Sequence, residues 1–314
     1  MSEEQSVFFI NKCRSYINFM LTQQWSGIEK QDIDRWIENF SEFTIQEKVL
    51  VYKLLINLIY YSERDVIGTL KDGIYNKIFY KIILEKQIEA NFNLSPKALF
   101  NLVKEELCKT CFVPLLDSGK PHESANYVSR LLVQQGIIMP YQSLFVINIE
   151  RAIEQYRFTR LIIIDDCVGS GDQLRGFWNT CILEQKSGEK ILLKDYCEKK
   201  GIEPNYLTLF GYGTSIQQLR KEFTELTIFC IRELEDAQRV FRNNSYIWRD
   251  EKELNEAINF FEKIADEKGI ELFGYKDLDF AFIMHQTIPD WSLPLFWQEN
   301  PDWSLLMRRK NSNA

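Results

Sequence analysis

Leu161-Ile162-Ile163-Ile164-Asp165-Asp166-Cys167-Val168-Gly169-Ser170-Gly171-Asp172-Gln173-Leu174 joins four apolar residues to two carboxylates, a small-residue loop and the start of a helix at about Gln173. A short unbroken apolar run bounded in this way predicts a strand buried on both faces, as in a parallel sheet. Whatever follows such a strand is delivered to the carboxyl edge of the sheet, where open α/β proteins bind their ligands. There Asp165 and Asp166 can accept hydrogen bonds from neighbouring hydroxyls of a ribose, with the added strength of an ionised acceptor, and can hold a sugar cation. Gly169 and Gly171 let the backbone close around an anion, and Ser170 can add a hydroxyl donor. Inward-turned N–H groups of the loop and the N-terminus of the next helix both favour phosphate.

Other phosphate-binding patterns fit this stretch less well. A dinucleotide fold places G-x-G-x-x-G directly after the strand, whereas here two acidic residues intervene and the third glycine is displaced to Gly176. The acidic pair would also repel a pyrophosphate. Receiver domains end a strand in paired aspartates near their beginning, while this pair lies mid-chain and leads into a glycine-rich turn. A P-loop at Ser118-Gly119-Lys120 is excluded because Pro114 stands where its first glycine belongs. The bland alternative is a surface turn with solvated aspartates.

Outward from this stretch, short apolar runs alternate with helical segments. Phe112 to Leu116, Ser143 to Ile147, Leu161 to Ile164, Tyr206 to Phe210 and Thr227 to Ile231 each have strand length. Between them Ser124 to Gln135, Gln173 to Glu184 and Ser215 to Phe223 have helical spacing. Such alternation predicts an α/β fold with a mainly parallel sheet. The first 110 residues predict helices instead. Thr44-Ile45-Gln46-Glu47 has the form of a capping box, Ser62 to Asp65 opens a second helix, and Ser95-Pro96 a third. Trp25, Trp36, Phe40 and Tyr52 are the expected core of that bundle. The expected division is a helical domain over 1–110 and an α/β domain over 111–314. The Pro- and aromatic-rich stretch Met284 to Trp297 is expected to wrap over the sheet.

With 314 residues, 45% hydrophobic and 26% charged, the chain has the composition of a globular protein of about two domains. A net charge of −7 argues against a nucleic-acid surface over the whole molecule, leaving only the basic tail Arg308-Arg309-Lys310 for local phosphate contact or for solvent. No apolar run reaches bilayer length, and the start Met1-Ser2-Glu3-Glu4 is acidic, so a cytoplasmic protein without a membrane partner is expected. Seven scattered cysteines suit reduced thiols. Cys108 and Cys111 have CxxC spacing, but the only histidines are His122 and His285, so a zinc site lacks ligands and no resident metal is expected.

The segment Leu161 to Leu174 resembles the phosphoribosyl-diphosphate motif of type I phosphoribosyltransferases, whose sheet fold the resemblance therefore implies. It implies that Asp165 and Asp166 hold the ribose diol and that Val168, Gly169, Ser170, Gly171, Asp172 and Gln173 hold the 5-phosphate. Family members commonly close this loop with Gly and Thr, where this chain has Asp172 and Gln173. Val113 to Lys120 is similar in position to the family's pyrophosphate loop, which makes Ser118, Gly119 and Lys120 candidates for neutralising a leaving diphosphate, together with Mg2+. Gly213, in the turn Gly211 to Thr214, would border the base or acceptor.

The helical first third and the closing residues His285, Pro289, Trp291, Phe296-Trp297, Trp303 and Arg308-Arg309 resemble the PRTase-CE group, associated with bacterial anti-phage and retron systems. His285 reads either as a titratable group at the pocket or as a contact that pins the tail. The resemblance implies a defence effector that makes or breaks an N-glycosidic bond at ribose C1, with Asp165, Asp166 and Lys120 as catalytic groups. Phosphoribosyl diphosphate or a nucleotide, a DNA-binding or reverse-transcriptase component, and a second copy of the chain are the partners it suggests. The alternative is an inactive nucleotide-sensing or partner-binding module.

Overall fold

The computed structural model describes residues 1–116, 124–285 and 287–309. The chain forms two compact units, one of Met1–Val66 with Leu234–Ala314 and one of Ile67–Glu233. Among the described residues the strands in chain order are β1 (Ile59–Tyr61), β2 (Thr110–Pro114), β3 (Arg160–Val168), β4 (Ile182–Glu184), β5 (Lys190–Leu192), β6 (Glu203–Tyr212), β7 (Thr227–Leu234) and β8 (Phe282–Met284).

The sheet unit is α/β, with four parallel strands in the order β2-β3-β6-β7. Register follows from the apolar pattern: Ile163 lies opposite Tyr206, Ile164 opposite Leu207 and Asp165 opposite Thr208. Every residue from Arg160 to Asp166 is buried, which requires cover on both faces. On the face of Leu161 and Ile163 the core includes Ile153, Trp178, Tyr196, Ile216 and Leu219 from four helices. The opposite face carries Leu207 and Ile231, against which the helical turn Gly73–Ile78 packs so closely that a Cβ at Gly73 would stand 3.0 Å from Ile231 and 3.1 Å from Leu207. Any side chain at this position would have to push Ile231 and Leu207 aside.

Two expected elements take another form. Ser143 to Ile147 makes a single parallel bridge, Ser143 to Phe112, with Leu144 N donating to the Phe112 carbonyl at 2.8 Å, and then turns into the 3-10 helix Val146–Asn148. Phe145 and Ile147 are exposed there, so no buried face holds the run in a sheet. The helix expected to reach Glu184 ends at Thr180, because Ile182–Glu184 pairs antiparallel with Lys190–Leu192 across the turn at Gly188.

The helical unit begins with Glu3–Gln23, Lys30–Glu38 and Ile45–Ile56. Thr44 caps the third: its hydroxyl accepts the Glu47 N–H at 3.3 Å, and Glu47 accepts the Thr44 N–H at 2.8 Å. Ser62 with Asp65, and Ser95 with Pro96, likewise open helices as expected. The Pro- and aromatic-rich C-terminal segment corrects the expectation of a wrap over the sheet, since it shares the core of these N-terminal helices. Trp36 and Trp303 both donate their indole N–H to the Leu295 carbonyl, at 2.8 and 2.9 Å. Asn39 and Ser304 bond each other twice, and β1 pairs in parallel with β8. The compact units are accordingly cut elsewhere than at residue 110. Among the described residues no helix is long and apolar enough to cross a membrane.

Candidate functional site

β3 runs past the expected Leu161 to Ile164 as far as Val168, so Asp165 and Asp166 lie within the strand near its carboxyl end, both nearly fully buried at 2% and 5% exposure. Asp165 Oδ2 accepts the Tyr206 hydroxyl at 2.8 Å and Oδ1 accepts the Asp166 N–H at 2.9 Å. Burial, and after it the neighbouring charge of Asp166, holds the Asp165 carboxyl well above its ordinary range. Burial, and after it Asp165, likewise pushes the Tyr206 phenol up. Two carboxylates and a phenol buried together thus favour a proton kept within the cluster, and an incoming cationic centre would be stabilised there.

The loop after the acids is shaped by one residue above all. Gly171 adopts φ +86°, the left-handed region, and directly precedes the helix Asp172–Thr180. A Cβ on it would stand 2.9 Å from Leu219 Cδ1, so the helix Gly213–Glu222 also closes against the loop. Val168 and Gly169 are buried, Ser170 is half-buried, and its hydroxyl accepts the Asp172 N–H at 3.3 Å. Gln173 is exposed on the first turn. β3 and β6 are in register at Val168 and Gly211, which sets Gly213, the first residue of its helix, beside the phosphate-loop candidate.

Asp172 does not stand as a lone negative charge. Arg175 Nη1 donates to Asp172 Oδ1 at 3.2 Å and to the Ser170 carbonyl at 2.9 Å, while its Nε donates to Glu222 at 2.7 Å. Arg175 therefore ties the loop to the helix Gly213–Glu222. The spacing of Asp172 and Arg175, three residues on one helical face, was available in the sequence as a signal for this contact. Tyr206 had no such signal, because its meeting with Asp165 depends on the pairing of β3 with β6.

The structure thus gathers Asp165, Asp166, Val168 to Gln173 and Gly213 in the sheet unit. Ser118, Gly119 and Lys120, the candidates for the diphosphate, lie outside the described residues. His285 belongs to the helical unit, where its N–H donates to the Tyr61 carbonyl at 2.8 Å and extends the pairing of β1 with β8. Its buried Nδ1 has no hydrogen-bond partner among the described residues. Among the described residues no group of three His, Cys, Asp or Glu side chains converges as a metal site.

A search of curated proteins and a search of solved structures found no match. The family model PRTase-CE matches residues 33–309. That span runs from the second helix of the helical unit, through the whole sheet unit, to the C-terminal aromatic segment, so the match takes in far more than the acid pair and its loop. The chain belongs to the PRTase-CE family.

Proposed function

We propose that this phosphoribosyltransferase-like protein binds phosphoribosyl diphosphate or a nucleotide at the carboxyl edge of β3 and makes or breaks the N-glycosidic bond at ribose C1. The observation that carries this reading is the adjacency, in one unit, of the buried Asp165-Asp166 pair and a Gly171-closed loop that opens the helix Asp172–Thr180. The loop and the helix N-terminus suit a 5-phosphate, and the acids suit the ring. As the bond at C1 lengthens, positive charge grows on the sugar, and preorganised negative groups in a water-poor site stabilise it more than water would. Lys120, with Ser118 and Gly119, is assigned to the departing diphosphate.

Magnesium enters this proposal as the complex of the substrate diphosphate, whose charge it neutralises. Mg2+ keeps much of its water and commonly takes one or two carboxylates plus substrate oxygens, so the lack of a three-residue cluster among the described residues is no obstacle to it. The proposed setting is a bacterial anti-phage system, in the cytoplasm, beside a DNA-binding or reverse-transcriptase component. That setting rests on the family resemblance.

Asp172 at the end of the phosphate loop, engaged by Arg175, favours a second reading, a ligand-sensing module without turnover. Incubating the protein and Mg2+ with phosphoribosyl diphosphate, and separately with nucleotides and NAD, separates the two. Release of diphosphate or free base supports the enzyme. Protection against thermal unfolding without product supports the module. Neither product nor protection would overturn both.

A further inference from the structure

The helix Phe79–Glu89 of the sheet unit is apolar on two sides. On one side Phe79 is buried and Ile82 and Ile83 are half-buried. On the other, Tyr80, Leu84 and Ile88 follow at intervals of four and are 56%, 36% and 55% exposed. Residues four apart form one ridge along a helix, so these three make a continuous apolar row that faces outward. A helix apolar on more than one side belongs in a core or an interface. The row beside it carries charge in a fixed order: Lys77, Lys81, Glu85 and Glu89 are exposed and again four apart. Two bases followed by two acids set like charges side by side within the helix, and place the central lysine N-terminal to its glutamate, the weaker of the two orientations. Among the described residues only Glu89 of the four makes an ion pair, with Lys86 at 2.6 Å. Stability of the lone helix does not account for such an order. A two-fold axis at Leu84 does, because an antiparallel copy would set Leu84 on Leu84, Tyr80 on Ile88, and the lysines of each copy against the glutamates of the other.

We infer that this face docks a second copy of the chain, with the helix Phe79–Glu89 packed antiparallel on its own equivalent about that axis. A closed dimer requires a patch complementary to itself, and the apolar row flanked by oppositely charged halves meets that requirement. Ridges of residues four apart interdigitate in the commonest class of helix packing, which is the geometry the row offers. Three apolar side chains and their charged flanks fall short of the roughly 800 Å² per partner of a standard interface. The dimer is therefore of the reversible kind, and its population follows concentration. The inference is independent of the phosphoribosyl reading of the site.

The test is sedimentation velocity of the full chain over a dilution series from the micromolar to the submillimolar range. Wild type is expected to pass from monomer to dimer along the series. Leu84→Lys, which brings two like charges together on the axis, is expected to stay monomeric. Lys81→Glu and Glu85→Lys are each expected to weaken self-association about tenfold, because each sets like charges against one another twice. An equimolar mixture of those two variants is expected to regain wild-type dimerisation, since each supplies the charge that the other lacks. General loosening of the fold would not give that rescue. A wild type that remains monomeric throughout the series overturns the inference and leaves the face to a different partner. A dimer that persists unchanged in Leu84→Lys uses another surface, and overturns it too. Should Leu84→Lys fail to fold, the mixture decides: no recovery from two folded single variants overturns the antiparallel pairing.

Discussion

Gly171 closes the phosphate-loop candidate, with φ +86° and only 2.9 Å available between an added Cβ and Leu219. Gly171→Ala is expected to cost about 1–2 kcal/mol from the left-handed backbone alone, and more from the contact with Leu219. Urea unfolding measures the loss, and a cost below 0.5 kcal/mol or so would show that the loop relaxes. Asp165 makes a prediction with a sign. Its carboxyl is held well above its ordinary 3.8, by burial first and the charge of Asp166 second. A raised folded-state pKa means that the fold favours the protonated form: that stabilisation is complete below about 3.8 and is lost as pH rises through the raised value. Asp165→Asn cannot ionise, so its stability relative to wild type should improve as pH rises above about 3.8. A stability difference that stays flat as pH rises would contradict the burial-driven shift. At this scale the acids and the loop were legible because they are contiguous and chemically unusual. Tyr206 and Asp165, 41 residues apart, meet only through strand register, which no local pattern discloses.

Among elements, those with a local stop or start signal formed where the sequence placed them. The Thr44 capping box is an example, and its worth is measurable. Thr44→Ala removes the acceptor of the Glu47 N–H and the return partner of the Glu47 carboxylate. About 1 kcal/mol is expected to be lost, read as a lower urea midpoint at unchanged slope. Ser143 to Ile147 shows the opposite case. Its residues have strand composition, but only one rung pairs with β2, and the apolar side chains of Phe145 and Ile147 face water. Whether a short run becomes a strand depends on a neighbour to pair with and a face to bury, and neither is written in the run itself. The helix expected to reach Glu184 was cut short for a related reason, since β4 finds a partner in β5 eight residues on.

At the scale of the molecule, the alternation of runs and helices was enough to indicate a parallel sheet covered on both faces. The partition into units was not, because it depends on contacts across most of the chain. Trp36 with Leu295, separated by 259 residues, and Asn39 with Ser304, separated by 265, join the two ends of the sequence in one core. Trp303, 5% exposed, packs its ring 5.4 Å from that of Phe40 and donates to Leu295. Trp303→Ala should therefore cost about 3–5 kcal/mol and raise hydrogen exchange in the helices Lys30–Glu38 and Ile45–Ile56. Unchanged protection there would mean that these helices stand without the C-terminal segment. The same discontinuity has a consequence for biosynthesis. At roughly 5–20 residues per second, a ribosome needs on the order of ten seconds to a minute to travel from the third helix to Trp303. Throughout that interval the nascent N-terminal helices present a greasy face with nothing to cover it, while the uninterrupted sheet unit can close in the meantime. Holding by a chaperone, or a translational pause placed late in the message, would then act on the beginning of the protein by governing when its end arrives.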